Sequence, residues 1–392
     1  MAKKRTSAGS TAPNATTRLS VFSPGTSLKT RLPHRRRWFW TSGQRTSRQE
    51  LVPRVVSATF ALSTLVKKQL LAPPLMEEFQ ASTGLADFAW RMIYHTGVRA
   101  TEPLTLEARI ARARGFVVFM HGWDGCGEVW ENLPALVCQE NRHLVCFTLD
   151  VNGFGGSPFL APVPAVEQCD PRGSMRAVEH WASLIQLKSS RVRSRRIPFI
   201  FVGHSMSGAS LFFKSDASGW EHERYGLLAL APALLRADAL RRGFYKALGV
   251  GIIAGTNQAI FDRLKIKLSP HFIEPLIGGA STANKKLHVE IFTRTSKGTI
   301  AQTFYALGMA EGNPQRPHWD NFKVILGHHD RMVGLGPMLS LLEKLGMSSV
   351  RVRVVFGDHY FFSVGRDSPK THVENRAIVV EEILALLETV SR

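Results

Sequence analysis

The chain is predicted to fold as an α/β protein with a doubly wound, mostly parallel sheet. From about residue 116 onward, short runs rich in Val, Ile and Phe alternate with longer segments of helical pattern. This alternation is typical of parallel sheets whose strands are buried on both faces by helices. With 392 residues, of which 44% are hydrophobic, the chain is long enough to bury a large core.

The first half of the predicted sheet follows from the order of these patterns. Residues 51–110 have an indistinct pattern, in which we expect a leading helix and one or two strands. The elements after them are predicted as a strand at 116–121, a helix at 128–140, a strand at 143–149 and a helix at 175–188. The loop DVNGFGGS at 150–157 is similar to a phosphate-binding glycine loop, but no Gly-Lys-Ser/Thr follows it. A phosphate site is therefore not predicted.

The segment FIFVGHSMSG at 199–208 predicts a strand that turns sharply into a helix, with Ser205 at the turn. Such a turn needs small residues two positions before and after the serine, because the strand and the helix pass closely. Gly203 and Ser207 meet this requirement. The pattern favours a nucleophilic serine, and the competing interpretation is a serine that only caps the helix.

Two later strands end in residues that could activate this serine. FKVILGHHDRMV at 322–333 places Asp330 after one strand, and VRVVFGDHYFF at 352–362 places His359 after the next. A serine hydroxyl needs a neutral imidazole to take its proton, and a buried carboxylate fixes the tautomer of that imidazole. Other candidates for the acid and the base remain open, namely Asp238 after the predicted strand at 225–234, His328, His329 and Asp358.

The upstream segment GFVVFMHGWDGCG at 115–127 also predicts a strand that runs into a glycine-rich loop. Together with the order serine, acid, histidine, it resembles the α/β-hydrolase superfamily over roughly residues 110–392. The resemblance implies the α/β-hydrolase fold and a catalytic triad of Ser205, Asp330 and His359. It also implies an oxyanion hole formed by the backbone amides of Trp123 and Met206, with no cofactor and no metal.

The resemblance assigns a structural role to His121, which would shape the loop, and we interpret Asp124 as a loop residue. It implies a core at 51–234 and 321–392 and a helical cap at 235–320, whereas the composition of residues 1–50 predicts a basic, disordered extension. Caps of this family cover the serine and shape its pocket. The apolar faces predicted in the cap therefore suggest an ester with a hydrophobic or aromatic group, although packing of the cap on the core must account for most of them.

The implied activity is hydrolysis of a carboxylic ester through an acyl-enzyme on Ser205. Lactonases, thioesterases and acyltransferases use the same triad and stay as alternatives, as does a catalytically silent ligand-binding protein on the same scaffold. A serine nucleophile argues against epoxide hydrolases, whose nucleophile is an aspartate.

The net charge of +19 is concentrated at the N-terminus, where residues 1–49 contain eleven Lys and Arg and no acidic residue. Three interpretations stay open for this segment: an organelle transit peptide, a basic arm for anionic surfaces, or sequence upstream of the true start, for which Met76 is a candidate. No nucleic-acid-binding module is present in the sequence, so we expect no nucleic-acid partner. We expect an intracellular, cytoplasmic protein, or an organellar one if 1–50 is a transit peptide.

The four cysteines, Cys126, Cys138, Cys146 and Cys169, show no Cys-x-x-Cys spacing. Neither a zinc site nor a disulfide framework is therefore predicted. Cys126 lies beside the predicted oxyanion loop, where we expect a small apolar filler.

Deletion of residues 1–49 is expected to leave ester turnover and the melting temperature nearly unchanged, because the segment has no apolar pattern that could pack. The deletion removes eleven positive charges, so adsorption to heparin or to anionic vesicles should weaken. Thermal denaturation and heparin chromatography of both forms test this. A large fall in melting temperature would show that the segment belongs to the fold.

Overall fold

The architecture comes from a computed structural model, which describes residues 55–96, 106–187, 197–214, 224–234, 239–255, 257–309 and 319–392. Within them the strands are β1 Val55–Ala61, β2 Ala89–His95, β3 Gly115–Met120, β4 Leu144–Leu149, β5 Phe199–His204, β6 Tyr225–Leu230, β7 Phe322–Gly327 and β8 Val352–Val355. The extension predicted at 1–50 lies outside the described residues, whereas the strands and helices belong to one unit, Leu51–Arg392.

The helices, also numbered in chain order, flank and connect these strands. They are α1 Leu62–Lys67, α2 Pro73–Thr83, α3 Leu106–Arg112, α4 Leu133–Glu140, α5 Val166–Cys169, α6 Pro171–Leu187, α7 Ser205–Ser210, α8 Ala239–Gly255, α9 Gln258–Leu276, α10 Thr282–Arg294, α11 Lys297–Met309, α12 Leu335–Lys344 and α13 Lys370–Ser391. Short 3₁₀ turns occur at Gly127–Trp130, Leu211–Phe213, Trp319–Asn321 and Ser349–Arg351.

The eight strands form one sheet in the order β1-β2-β4-β3-β5-β6-β7-β8. Strand β2 is antiparallel to both neighbours, and all pairs from β4 to β8 are parallel. The predicted fold class, a doubly wound and mostly parallel sheet, is confirmed. The predicted strand at 225–234 is shorter than expected, because β6 ends at Leu230.

The central strands are buried along their whole length, as their continuous apolar sequences predict. Every residue of β3, β4, β5 and β6 is buried. Alternate residues of β3 belong to different hydrophobic clusters: Phe116 and Val118 pack in one, and Val117 and Phe119 in the other. Because successive side chains of a strand point to opposite faces, the sheet has a core on each side.

The described part of the segment between β6 and β7 is mainly helical and contains α8, α9, α10 and α11. The two ends of this segment, residues 235–238 and 310–318, lie outside the described residues, so the predicted cap boundaries stay a prediction. We call these four helices the cap helices. The carboxyl ends of β3, β5, β7 and β8 meet at one edge of the sheet, which is where the predicted site residues lie.

Candidate active site

Ser205 lies at a strained turn between β5 and α7. Its φ angle is +54°, in the left-handed region that residues other than glycine rarely adopt. The close approach of strand and helix explains the small residues around it, because a Cβ on Gly203 would lie 2.4 Å from the carbonyl oxygen of Ser207. This is the geometry predicted for a nucleophile elbow, and it holds the serine in a fixed position at the sheet edge.

Asp330 and His359 form a buried pair. The Nδ1 atom of His359 lies 2.8 Å from Oδ2 of Asp330, and the other carboxylate oxygen accepts hydrogen bonds from the amides of Met332 and Val333 at 2.9 and 3.1 Å. Burial raises the pKa of Asp330, but the opposing effects of His359 and of these amide hydrogen bonds lower it below its ordinary value. The carboxylate is therefore ionised at neutral pH, accepts a hydrogen bond from the Nδ1–H group and leaves Nε2 of His359 free to act as a base.

His204, the residue before Ser205, connects this pair to the serine turn. Its Nε2 lies 3.0 Å from the carbonyl oxygen of His359, to which it donates a hydrogen bond, and the two imidazole rings are 4.7 Å apart. Burial lowers the pKa of His204 well below its ordinary value, so the ring is neutral. The sequence analysis gave His204 no role, because a histidine at the end of a buried strand carries no pattern of its own.

The loop after β3 lies directly against the serine. A Cβ on Gly122 would be 2.8 Å from the Cβ of Ser205, and Trp123 and Met206 line a small cavity of about 30 Å³ together with Ser205. Neither amide, on Trp123 or on Met206, donates to a protein acceptor within the described part of the chain. Both are therefore available for the oxyanion-hole role that the sequence predicts.

His121 has the structural environment that the sequence analysis expected. Its Nε2 accepts a hydrogen bond from the amide of Val151 at 2.9 Å, so the proton is on Nδ1, which donates to the carbonyl oxygen of Gly122 at 2.6 Å. Burial lowers the pKa of His121 to about 4. A neutral ring with both nitrogens engaged stabilises the loop and takes no part in proton transfer.

Asp124 is a loop residue, as predicted, but its carboxyl group is fully buried. Its side chain is 0% exposed, and neither carboxyl oxygen has a hydrogen-bond partner among the described residues. Burial raises its pKa well above the ordinary value, against the opposing charge of Lys265. Burial therefore favours the neutral acid over the carboxylate, an effect that a glycine-rich loop sequence does not reveal.

A cap residue, His288, joins the loop of Asp124 to the loop of His359. Its Nδ1 donates to the carbonyl oxygen of Asp124 and lies 3.9 Å from the Asp124 carboxyl, while its Nε2 accepts from the hydroxyl of Tyr360 at 3.0 Å. Burial lowers the pKa of His288 to about 4. The cap helix α10 thus contacts both loops of the site through one neutral imidazole, which sequence reasoning missed.

Replacing Asp124 with Asn is expected to stabilise the protein increasingly as the pH rises. A carboxyl group with a raised folded-state pKa contributes stability that is complete below its unfolded pKa and is lost as the pH rises through the folded pKa. The Asn variant lacks this loss, so its free energy of unfolding should gain on the parent as the pH rises above the ordinary Asp pKa of 3.8, by up to about 1.4 kcal/mol per pH unit until the folded-state pKa is reached. Urea denaturation at several pH values measures the difference.

Asp367→Asn provides the matched control for this experiment, since hydrogen bonds from Thr282 lower the pKa of that exposed carboxylate. The difference between this variant and the parent should stay flat from pH 5 to 7. A flat difference for Asp124→Asn as well would show that the Asp124 carboxyl is ionised in the folded protein.

The alternative acids and bases are placed less favourably. His328 and His329 contact each other at 3.5 Å and are exposed, and His329 packs on Phe356. Asp358 accepts a hydrogen bond from the amide of Tyr360 at 2.9 Å. Asp238 lies outside the described residues, so its comparison with Asp330 stays a prediction.

A large cavity adjoins the small one at Ser205. It has a volume of about 1120 Å³, reaches His359, and shares Tyr245 and Met332 with the small cavity. Most of its lining surface is apolar, and half of the lining residues come from α8. A second large cavity, of about 700 Å³, lies between Asp150 and α10 and contains none of the predicted triad residues.

The four cysteines are free and buried, and burial raises the pKa of Cys126 to about 12. Its thiol is therefore protonated, as a filler residue would be. Among the described residues, no group of three or more His, Cys, Asp or Glu side chains could hold a metal ion. Within the same residues, no helix is both long and apolar enough to cross a membrane.

The chain is similar in structure to several solved hydrolases. One is a thermophilic esterase from Thermogutta terrifontis, with 14% identity, a TM-score of 0.48 and coverage of 78% of this chain and 94% of that one. Another belongs to the epoxide hydrolases from metagenomes of hot environments, with 13% identity, a TM-score of 0.48 and coverage of 78% and 97%. A third is a bromoperoxidase from Bacillus anthracis, with 14% identity, a TM-score of 0.46 and coverage of 78% of this chain and 96% of that one.

No protein-family model matches the sequence, and no curated protein sequence matches it either. The eight-stranded, mostly parallel sheet agrees with the sequence-based expectation, and so does the serine at a sharp turn after β5. The chain therefore has the α/β-hydrolase fold.

Proposed function

We propose that the protein is a serine hydrolase that cleaves a carboxylic ester through an acyl-enzyme formed on Ser205. The observation that carries the proposal is the buried Asp330–His359 pair, 2.8 Å apart, bonded through His204 to the turn that holds Ser205. A serine in a left-handed turn, an ionised carboxylate and an imidazole of fixed tautomer are the groups that acyl transfer requires.

In the proposed mechanism, Nε2 of His359 takes the proton of the Ser205 hydroxyl as the oxygen attacks the ester carbonyl carbon. The amides of Trp123 and Met206 stabilise the oxyanion that forms, and His359 returns its proton to the departing alcohol. Water then attacks the acyl-enzyme, again with His359 as base, and the carboxylic acid leaves. The Nδ1 proton stays on His359 throughout, and the Asp330 carboxylate accepts a hydrogen bond from it and stabilises the imidazolium.

The cavity beside His359 supports a substrate with a hydrophobic or aromatic group. Its apolar lining includes Leu240, Phe244, Tyr245, Ile277 and Met332. A volume of about 1120 Å³ is large enough for a drug-sized molecule, since such pockets usually measure about 300 to 1,000 Å³. We therefore propose that one part of the ester lies in this cavity and the reacting carbonyl lies at Ser205.

Labelling with a fluorophosphonate, followed by mass spectrometry of the modified peptide, tests the nucleophile. We expect the label on the peptide that contains Ser205 and hydrolysis of short-chain nitrophenyl esters. Labelling without turnover of any ester, lactone or thioester would favour an acyltransferase. If the protein shows no labelling and no turnover, the result contradicts the proposal and favours a ligand-binding protein.

A further inference from the structure

Large apolar side chains are exposed on the outer side of the first two cap helices. Of the 17 exposed large hydrophobic residues in the described part of the chain, nine lie on α8 and α9. We call these nine residues the outer cap surface: Leu240, Phe244, Val250, Ile253, Ile260, Leu264, Ile266, Leu268 and Phe272. Scattered exposed apolar residues are normal on a protein, but such a concentration marks an interaction surface.

On helix α9 an apolar stripe is exposed and a lysine is buried, which is unusual for a helix packed on a core in water. Its residues Ile260, Leu264, Leu268 and Phe272, spaced four apart, are exposed by 39 to 54%, whereas Lys265 is buried. The Lys265 ammonium donates to the carbonyl oxygen of Thr295 at 2.7 Å and lies 3.3 Å from the Asp262 carboxylate. The apolar stripe of this helix therefore faces outward, while Lys265 is buried with its ammonium group hydrogen-bonded.

The outward side of α8 carries no charged side chain. Leu240 is 85% exposed and Phe244 is 59% exposed, and Ala247 is also exposed. A Cβ added at Gly243 or Gly251 would meet nothing within 4 Å, so these glycines also face open space. The sequence predicted apolar faces on this helix at Leu240, Phe244, Leu248, Ile252 and Ile253. Leu248 and Ile252 pack against the core, whereas Leu240, Phe244 and Ile253 are exposed.

The charges around this surface are mostly positive. Helix α8 contains Arg241, Arg242 and Lys246 and no acidic residue. On α9 the exposed Arg263 and Lys267 lie beside the apolar stripe, and the acidic residues of that helix are Asp262, which is paired with Lys265, and Glu274. An apolar stripe flanked by cations matches the chemistry of a bilayer surface that contains anionic lipids.

The outer cap surface is continuous with the cavity beside the candidate catalytic histidine. Leu240 and Phe244 belong to the exposed surface and also line the cavity of about 1120 Å³ that reaches His359. A molecule bound to the outer cap surface at Leu240 and Phe244 would therefore lie directly beside this cavity. The apolar surface therefore lies at the entrance to the cavity.

We propose that the outer cap surface binds lipid bilayers that contain anionic lipids, with α8 and α9 lying in the interface. The apolar side chains enter the boundary between headgroups and acyl chains, and Arg263 and Lys267 contact anionic headgroups. This binding does not depend on the proposed ester hydrolysis, because no triad residue takes part in it. It is also separate from the contact expected for residues 1–49.

Cosedimentation of the full chain with phosphatidylcholine vesicles, with and without phosphatidylglycerol, tests the proposal. The double variant Leu264→Asp/Leu268→Asp puts two charges into the apolar stripe and should lower the vesicle partition coefficient about tenfold or more. The matched control is Val350→Asp/Val373→Asp, at positions 86% and 56% exposed outside the cap. The control should bind as the parent does, with any contribution of residues 1–49 intact.

The variant Arg263→Glu/Lys267→Glu should reduce binding to the anionic vesicles more than to pure phosphatidylcholine, and added salt should narrow the difference. Turnover of a water-soluble ester by all variants should match the parent, because none of these residues belongs to the site. Equal vesicle binding by the Leu264/Leu268 and Val350/Val373 variants would overturn the proposal. So would a dimer of the parent that the Leu264→Asp/Leu268→Asp variant abolishes without any vesicle binding, since the surface would then be covered by a second copy.

Discussion

Ser205→Ala is expected to abolish ester turnover and fluorophosphonate labelling while the protein stays folded. The loss of a triad nucleophile typically lowers kcat by about 10⁴ to 10⁶. Alanine keeps the Cβ atom that already occupies the turn, so neither the backbone at φ +54° nor the packing against Gly122 has to change. Steady-state kinetics and a thermal melt of the same preparation check both parts of this prediction.

Ser210→Ala is the matched control, because Ser210 lies on the same short helix and is also buried. Its hydroxyl donates to the carbonyl oxygen of Met206 at 3.1 Å, which is a local helical contact. Activity should therefore remain close to that of the parent. If Ser205→Ala keeps a tenth of the parent activity, Ser205 is not the nucleophile.

Ser205→Gly separates the chemistry at this position from the backbone strain. It should be as inactive as the alanine variant, yet more stable than it by about 1 kcal/mol, because glycine adopts the left-handed conformation without steric cost. A glycine variant less stable than the alanine variant would mean that the turn stores no strain. The stability difference thus reports whether the fold holds Ser205 in place at a cost.

Most of the sheet could be predicted because the sequence and the tertiary structure agree there. The sequences of β3, β5 and β7 are apolar and rich in β-branched and aromatic residues, and each is followed by a turn. Local sequence and tertiary structure therefore favour the same strands. The early strands β1 and β2 were harder to predict. They pair antiparallel, and their half-buried residues interrupt the apolar pattern.

The supporting residues of the site could not be predicted, because their roles depend on contacts between distant segments. His288 is 72 residues from Tyr360 and 164 residues from Asp124 in sequence, and only the packing of α10 brings them together. No local pattern distinguishes such a histidine from any other on a helix. Asp124 looks like an exposed turn residue in the sequence, since its burial depends on the cap above it.

The orientation of the cap helices was the least predictable feature. Helical periodicity shows that α8 and α9 each have an apolar face, but it does not say which face meets the core. The apolar stripe on α9 is exposed, whereas Lys265 of the same helix is buried. Its ammonium group contacts the carbonyl oxygen of Thr295 and the carboxylate of Asp262. A sequence rule that places leucine inside and lysine outside therefore gives the wrong answer for this helix.

Asp330→Asn is expected to lower kcat by about 10⁴ with the fold retained, as the loss of the tautomer-fixing carboxylate does in serine proteases. The carboxylate accepts a hydrogen bond from Nδ1 of His359, with 2.8 Å between nitrogen and oxygen, and so it leaves Nε2 as the base. An amide at this position has nearly the same shape, but its NH₂ group can donate to Nδ1, which favours the tautomer with the proton on Nε2. That tautomer cannot deprotonate Ser205.

Two aspartates serve as controls for this variant, since each competes with Asp330 in the sequence. Asp358→Asn keeps the oxygen that accepts from the amide of Tyr360, and Asp238→Asn changes the acid after the preceding strand. Both should retain most of the parent kcat, because the structure pairs His359 with Asp330. Loss of activity in Asp238→Asn, with Asp330→Asn near the parent, would place the acid after β6 and contradict the assignment of Asp330.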